Sequence, residues 1–289
     1  MTNLYKDIFA WIKNPDDNEL NLSSKSKLLL SFQILLLEVL LAFPFIGLIY
    51  LIHSHVVKLE NPLIDWGPYL TLFLIVLVIP FIEEVIFRFP LKYQRNYLAR
   101  LLNYLSKGRL KKRWSSIFKY LLYLLAFLFG LIHLTNYDNT ETIFYILSPI
   151  IIGSQLIGGF ILSYVRIKLG FLWSVFQHGA FNFTLIILSF IFLHNNEIVK
   201  ISNETFSINI KELAFVNKDD SYYRTKFSNE KIYLIEANDI SLYEFIDSLN
   251  LEGPRPYDDL WIDVNIYSED GITRSELQRI LKGEIKFDK

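Results

Sequence analysis

The sequence predicts an all-α polytopic membrane helix bundle of about five transmembrane helices, followed by a small soluble α+β domain. Hydrophobic residues make up 52% of the 289-residue chain. They are gathered into long blocks rather than dispersed, which is typical of a membrane protein. Polar residues are concentrated towards the two ends of the chain. We therefore predict a polar N-terminal segment at residues 1–27, a membrane domain at 28–193 and a soluble domain at 197–289.

Five apolar stretches reach or approach the length that a membrane-spanning helix needs. A hydrocarbon core of about 30 Å requires roughly 20 helical residues, and in lipid a helix satisfies its own backbone within one segment. The predicted spans are Leu28–Ile52, Pro68–Leu91, Trp114–Leu134, Ile143–Val165 and Phe171–Leu193.

The loops between these spans differ in their content of basic residues. The N-terminal segment and the fourth loop are basic, the first loop has only Lys58, and the third loop has neither Lys nor Arg. Because basic loops stay in the cytoplasm, the N-terminus and the second and fourth loops are predicted inside and the C-terminal domain outside. The second loop is the most basic, with Lys92, Arg95, Arg100, Lys107, Arg109, Lys111, Lys112 and Arg113.

The chain after residue 196 has a different pattern. Segments such as Lys231–Ala237 and Leu260–Tyr267 alternate in character, which predicts strands. Ser241–Leu249 and Thr273–Leu281 each begin with a hydroxyl residue that is followed three positions later by glutamate, the signature of a capped helix. About 90 residues are enough to fold as an independent domain.

Composition narrows the class of protein further. The formal net charge of -1 gives no indication of nucleic-acid binding, and the absence of cysteine excludes disulfides, thiolate metal sites and cysteine nucleophiles. The abundance of Ile, Leu, Lys, Asn and Phe suggests a bacterium with an AT-rich genome. We therefore expect a multi-pass protein of the cytoplasmic (inner) membrane, with the lipid bilayer and no nucleic acid among its partners.

The first of three polar clusters inside the spans contains Glu83, Glu84 and Arg88. Ionisable residues are costly in a membrane and usually mark function. Residues four apart share one helix face, so Glu84 can pair with Arg88. Glu83 lies about 100° around the helix and lacks this partner, which suits a general base or acid near neutral pH. The structural alternative is an interfacial charge group at the end of the helix.

The other two clusters supply imidazole and amide groups. Phe129 precedes His133 by one helical turn, with Asn136 just beyond. His178 shares a helix face with Asn182, and the two side chains could donate hydrogen bonds to a developing oxyanion. The structural alternatives are a hydrogen-bonded interface histidine at position 133 and an interhelical hydrogen-bonded pair at positions 178 and 182.

Together the clusters provide a carboxylate, two imidazoles and an amide on three separate helices. This set can activate water against a peptide carbonyl without a covalent intermediate, and such a mechanism needs no cofactor. Glu83, His133 and His178 could instead ligate zinc as a set of two histidines and one glutamate. The sequence leaves both mechanisms open.

The order of the motifs EExxxR, FxxxH and HxxxN, each on its own apolar helix, resembles the CPBP family. This family comprises CAAX prenyl endoproteases and bacteriocin-processing and immunity proteins. In this chain the motifs are Glu83–Arg88, Phe129–His133 and His178–Asn182, with a Gly-x-Leu-Trp lead-in at Gly170–Trp173. The similarity covers about residues 68–193 and leaves out the first helix and the C-terminal domain.

The resemblance implies an intramembrane endopeptidase of the glutamate type. Glu83 would activate water with the assistance of His133, and His178 and Asn182 would stabilise the oxyanion. The substrate is expected to be a peptide or a protein tail that enters from the membrane or the cytoplasm. The remaining motif residues would support the site structurally, and they are Glu84, Arg88 and Phe129.

Two features depart from the family pattern. Phe89 and Pro90 follow the motif arginine, where the family often has glycine, so the helix after Arg88 is expected to run differently. The typical member also lacks the C-terminal domain. The alternative function is therefore a non-proteolytic membrane protein of the same fold, acting in bacteriocin immunity or as a scaffold whose C-terminal domain binds an extracytoplasmic partner.

The motifs also pose a geometric problem. In simple antiparallel spans Glu83 lies towards the cytoplasmic side and His133 towards the outer side, more than about 10 Å apart at a helical rise of about 1.5 Å per residue. Their meeting would require a bend in the second span, for example at Pro80, or a tilt of the spans.

The alternation of basic loops makes the topology testable. A reporter that works only outside the cytoplasm should be active when fused after Leu193, because five spans carry the chain from a cytoplasmic N-terminus to the outer side. The same reporter fused after Lys107, in the second loop, is the control and should be silent. A silent reporter after Leu193 would place this position in the cytoplasm and contradict the count of five spans.

Overall fold

The structure, a computed structural model, describes residues 2–60, 66–217, 221–228, 230–250 and 255–287. Within these residues, five helical segments are long and apolar enough to cross a membrane, which confirms the predicted helix bundle. They are Ser24–His55, Gly67–Leu91, Trp114–Asn136, Thr142–Lys168 and Phe171–Leu193. The chain forms two compact units. The second unit contains the β-sheet together with the first turns of the second span and the last turns of the fifth.

The helices that precede the sheet include several breaks and irregular turns. A π-helical segment, Leu74–Val78, joins α3 to α4, and short 3₁₀ turns cover Phe89–Leu91, Tyr93–Arg95 and His133–Asn136. The α-helices are α1 (Thr2–Lys13), α2 (Ser24–His55), α3 (Gly67–Phe73), α4 (Ile79–Phe87), α5 (Tyr97–Leu105), α6 (Arg109–Lys112), α7 (Trp114–Ile132), α8 (Thr142–Ile151), α9 (Gly153–Lys168) and α10 (Phe171–Leu193).

The fourth span is broken into α8 and α9 rather than being one regular helix. Pro149 in the last turn of α8 has no N–H to continue the hydrogen-bond ladder. Gly153 begins α9 where the ring of Phe45 packs so closely that a Cβ atom would lie 2.0 Å from it. The missing side chain at Gly153 therefore lets α2 approach the break.

The core of the bundle lies between α7, α9 and α2. Leu122, Ile161 and Val165 are fully buried in one apolar cluster. Gly159 allows α9 to approach α7 closely, because a Cβ atom at that position would lie 3.1 Å from the carbonyl oxygen of Ala126. This close packing of α9 against α7 holds the helix that carries Phe129, the first residue of the second motif.

The C-terminal unit contains a five-stranded antiparallel sheet with the order β1-β2-β5-β4-β3. The central strand β5 directs Ile262, Val264 and Ile266 into a core that it shares with two helices. As predicted, Ser241 caps the first of these helices and Thr273 forms a capping box with Glu276 at the second. The elements are β1 (Asn196–Ser202), β2 (Phe206–Glu212), β3 (Tyr222–Ser228), β4 (Lys231–Ser241), α11 (Leu242–Ser248), β5 (Trp261–Thr273) and α12 (Arg274–Glu284).

The polar N-terminal segment is attached to the bundle. Trp11 of α1 is buried and meets the ring of Tyr164 edge-on at 5.4 Å. Beyond α1, a carboxylate oxygen of Asp16 accepts a hydrogen bond of 2.8 Å from the Nζ of Lys168, at the end of α9. Burial alone would raise the pKa of Asp16, but the hydrogen bonds from Lys168 and Asn18 outweigh this effect and lower the pKa.

This pair gives a pH-dependent contribution to stability. A carboxyl group whose pKa is lowered by folding stabilises the fold above its unfolded pKa, and this contribution is lost as the pH falls through the folded value. Asp16→Asn should therefore lower the free energy of unfolding at neutral pH by up to about 1 kcal/mol, the size expected for a partly exposed pair. This loss would be measured as a lower midpoint of thermal unfolding in detergent. The difference from wild type should decrease below the usual Asp pKa of 3.8 and disappear as the pH falls through the lower pKa of the folded protein. Asp7→Asn, on the same segment, is the control, and an equal effect of both variants would contradict the role of the pair.

Candidate active site

The first motif places a fully buried ion pair inside the bundle. Glu84 and Arg88 lie one turn apart at the end of α4, and Arg88 Nε is 3.6 Å from Glu84 Oε1. Both side chains are completely enclosed, whereas 18% of the Glu83 side chain is exposed. The pairing that the i, i+4 spacing predicted is therefore present, and Glu83 is the more accessible of the two adjacent carboxylates.

Phe129 of the second motif lies against the arginine. The guanidinium carbon of Arg88 is 3.6 Å from the centroid of the Phe129 ring, a close cation–π contact. Among the described residues the guanidinium nitrogens have no hydrogen-bond partner, so the charge of Arg88 is compensated by the Phe129 ring and by nearby carboxylates. Phe87 meets the same ring edge-on at 5.5 Å.

The contact between Arg88 and Phe129 resolves the geometric problem that the motifs pose. It sets α4 and α7 at the same level along their axes at these two residues. Consecutive spans run in opposite directions. One helical turn from this level, in the same direction along the bundle, therefore reaches Glu84 on α4 and His133 on α7. Glu83 and His133 then lie at a similar level along the two helices.

His178 of the third motif lies between the two glutamates. Its Nδ1 is 3.2 Å from Glu84 Oε1, and its Nε2 is 3.4 Å from Glu83 Oε2. An ionised carboxylate only accepts hydrogen bonds, so Nδ1 donates to Glu84 and the ring orientation is fixed. Nε2 is thereby directed at Glu83. The third motif thus meets the first through His178, and Phe129 packs edge-on against this imidazole at 5.7 Å.

Asn182 contacts the irregular part of the second span. In the π-helical segment the N–H of Ile79 donates to the carbonyl of Leu74. The next carbonyl, that of Ile75, would find its partner five residues on at Pro80, which has no N–H. Asn182 Nδ2 donates to this carbonyl instead, at 2.9 Å. One N–H of the amide therefore makes an interhelical hydrogen bond, as the structural alternative predicted, and the same nitrogen carries a second N–H.

His133 begins the 3₁₀ turn after α7. Its Nδ1 lies 2.7 Å from the carbonyl oxygen of Phe129, which can only accept, so Nδ1 carries the proton. In a neutral ring Nε2 is then able to accept a proton. His133 interacts electrostatically with both Glu83 and His178, whereas the ion-pair contact of Glu83 is with His178, at 3.4 Å. Asn136, at the end of the same turn, has no part in these contacts.

Three residues of the site were not identified from the sequence. Glu38 of α2 is 3% exposed, and its Oε2 accepts a hydrogen bond of 3.1 Å from Gln177 Nε2. Ser31, two turns earlier on α2, donates to Gln177 Oε1 at 2.6 Å. Gln177 immediately precedes His178, so the first span fixes the helix that carries this histidine. The signal available in the sequence was the i, i+7 spacing of Ser31 and Glu38 in the largely apolar first span.

The arrangement of donors does not form an evident metal site. Among the described residues, no group of three His, Asp or Glu side chains is placed to hold a metal ion. Of the proposed zinc ligands, His133 directs Nδ1 to its own helix and His178 directs Nδ1 to Glu84. Coordination by Glu83, His133 and His178 would therefore have to use both Nε2 atoms.

The fold and the polar site define a multi-pass membrane protein with a buried set of glutamate, histidine and asparagine side chains, as expected of an intramembrane protease. Residues 65–184 match the family model described as type II CAAX prenyl endopeptidase Rce1-like. This part of the chain contains all three motifs, and its similarity to the model agrees with the resemblance to CAAX proteases that the motifs indicated. The match leaves out Ser31 and Glu38 on the first span. No curated protein and no solved structure matches the chain.

Gly179, inside the third motif, makes the approach of α10 to the π-helical segment possible. A Cβ atom at this position would lie 2.4 Å from the carbonyl oxygen of Val76, which is backbone and cannot rotate away. Gly179→Ala should therefore destabilise the protein by about 1–3 kcal/mol, as overpacking does, and should lower the midpoint of thermal unfolding in detergent.

Gly47→Ala is the matched control for this substitution. Nothing lies within 4 Å of the corresponding Cβ position on α2. Because alanine favours a helix over glycine by up to about 1 kcal/mol, this variant should be as stable as wild type or slightly more stable. Equal stability of Gly179→Ala and Gly47→Ala would contradict the close approach of α10.

Proposed function

We propose that the protein is an intramembrane endopeptidase that hydrolyses a peptide bond with water activated by Glu83. The observation that carries the proposal is the position of His178 between Glu83 and Glu84, inside the segment that matches the Rce1-like family. Two carboxylates joined by one imidazole can hold and transfer a proton within a largely enclosed site. The proposed substrate is a peptide segment or protein tail presented from the membrane or the cytoplasm.

Glu83 is the group that we assign as the general base. Its side chain is partly exposed, so water and substrate can reach it, whereas Glu84 is enclosed and engaged by Arg88 and His178. In the first step Glu83 takes a proton from water while the water oxygen forms a bond to the peptide carbonyl carbon. His133, whose Nδ1 is held by its own helix, assists as the second base, in the role that the resemblance assigns to it.

The negative charge that develops on the carbonyl oxygen requires hydrogen-bond donors. We assign this role to His178, which donates through Nε2 in the doubly protonated form that the two flanking glutamates favour, and to Asn182 through the N–H that does not bind Ile75. Donors that are already oriented before the reaction stabilise such charge most effectively. When the tetrahedral intermediate collapses, the carbon–nitrogen bond breaks and the proton held by Glu83 passes to the leaving nitrogen.

Glu84, Arg88 and Phe129 act as positioning residues in this proposal. Glu84 orients the His178 ring, Arg88 balances the charge of Glu84, and Phe129 packs against both Arg88 and His178. The mechanism uses no cofactor. Zinc held by Glu83, His133 and His178 is the competing mechanism, and sensitivity to a chelator separates the two.

Glu83→Gln tests the assignment of the base. The amide keeps the volume of the carboxylate but cannot accept the proton, so cleavage should fall by about 10²–10⁴-fold. The thermal unfolding midpoint should not decrease, because an amide is easier to bury than a carboxylate. Cleavage would be measured in proteoliposomes with fluorogenic peptides, including a prenylated CAAX peptide and its unmodified counterpart.

Two comparisons complete this experiment. Glu141→Gln removes an exposed carboxylate outside the site and should retain the wild-type rate. A metal chelator should leave the wild-type rate unchanged. Wild-type cleavage by Glu83→Gln would refute the proposed base, and loss of activity on chelation with recovery on addition of zinc would favour the metal mechanism.

A further inference from the structure

The helix α5 in the second loop turns its apolar side chains away from the protein. Six of its nine residues are large and apolar or aromatic, and each is between 46% and 81% exposed. A helix on the surface of a soluble domain buries such residues against the core. The six residues are Tyr97, Leu98, Leu101, Leu102, Tyr104 and Leu105.

These six residues form a single face. At about 100° per residue they cover an arc of about 160°, and the remaining three positions lie on the other side. The buried Ala99 lies on this second side and packs in the same cluster as Leu91 and Trp114, which end the second span and begin the third. Asn103, also on this side, accepts a hydrogen bond of 2.8 Å from the backbone N–H of Lys111. The helix is therefore attached at the ends of two spans by its small and polar side.

The charged residues of the loop that carries α5 are all basic. Residues 92–113 contain eight Lys and Arg residues and no Asp or Glu. The salt bridges of the described residues all involve other parts of the chain. Two of the basic side chains lie near aromatic rings of the same loop, with Arg100 over Tyr97 at 5.9 Å and Lys111 over Tyr93 at 5.9 Å. The loop thus presents a positive surface next to an exposed apolar face.

From these observations we propose that α5 is an interfacial helix, which lies flat in the membrane surface and binds anionic lipid headgroups. An apolar face inserted at the boundary between headgroups and acyl chains, with basic residues beside it, is the pattern by which helices bind an anionic membrane surface. Tyrosines at positions 97 and 104 suit the same depth, since aromatic side chains with a polar tip prefer the membrane interface. The position of α5 between the ends of two spans places it beside the bilayer without any further movement of the chain.

The absence of cysteine allows this proposal to be tested with single spin labels. A nitroxide would be attached to Leu101→Cys on the apolar face and, as the matched control, to Arg100→Cys one residue away on another face. The protein would be reconstituted in vesicles of phosphatidylcholine alone and in vesicles that also contain phosphatidylglycerol. Accessibility to oxygen, which enters lipid, and to a nickel chelate, which stays in water, would be measured for each label.

The label at position 101 should be accessible to oxygen and shielded from nickel, more strongly in the anionic vesicles, and the label at position 100 should be accessible to nickel. Access of nickel to position 101 in both vesicles would overturn the proposal, because the apolar face would then lie in water. Shielding of position 101 from both reagents would also overturn it, since a second copy or another protein would then cover the face.

A charge variant tests the lipid preference separately. Replacing Arg109, Lys111, Lys112 and Arg113 by Gln should reduce the difference between the two kinds of vesicle by about half, because each basic residue near an anionic surface contributes a similar amount. The control removes the same number of charges from the C-terminal domain through Gln at Lys200, Lys211, Lys226 and Lys282. If both variants change the vesicle dependence equally, or if wild type shows no dependence on phosphatidylglycerol, the anionic headgroups are not the partner.

Discussion

The buried guanidinium of Arg88 is the constraint on which the rest of the site depends. A charge enclosed in a helix bundle must be compensated locally, because transfer from water costs several kcal/mol per ion. Glu84 compensates it from the same helix and Phe129 from α7. One side chain thereby fixes two spans relative to each other. The level of α7 against α4, and with it the approach of His133 to Glu83, follows from this requirement.

The polar site extends beyond the segment that matches the family model. Residues 65–184 carry all three motifs, but Gln177 is held by Ser31 and Glu38, which lie on the first span. An amide whose oxygen and nitrogen are both engaged has one orientation, and it fixes the rotation of α10 next to His178. The first span therefore contributes to the structure around His178.

Local spacing and hydrophobic length were sufficient to predict much of this structure. The spans follow from apolar runs of the right length, the contact between Glu84 and Arg88 follows from i, i+4 geometry, and the caps at Ser241 and Thr273 follow from local chemistry. The contacts between spans could not be predicted in this way. The bonds of Gln177 to α2 depend on how helices far apart in sequence pack, which no local period encodes. The outward apolar face of α5 was likewise missed, because amphipathicity alone does not say which side faces the protein.

The π-helical segment Leu74–Val78 has a consequence for the length of the second span. A π turn contains about one residue more than an α turn, and one residue corresponds to about 100° of rotation. Deleting a single residue here would leave a helix long enough to cross the bilayer, yet it would turn Glu83 and Glu84 away from His178 unless the first part of the span rotated instead. The number of residues in the second span is thus constrained. A span one residue shorter would still be hydrophobic enough to cross the membrane, but its carboxylates would point in a different direction.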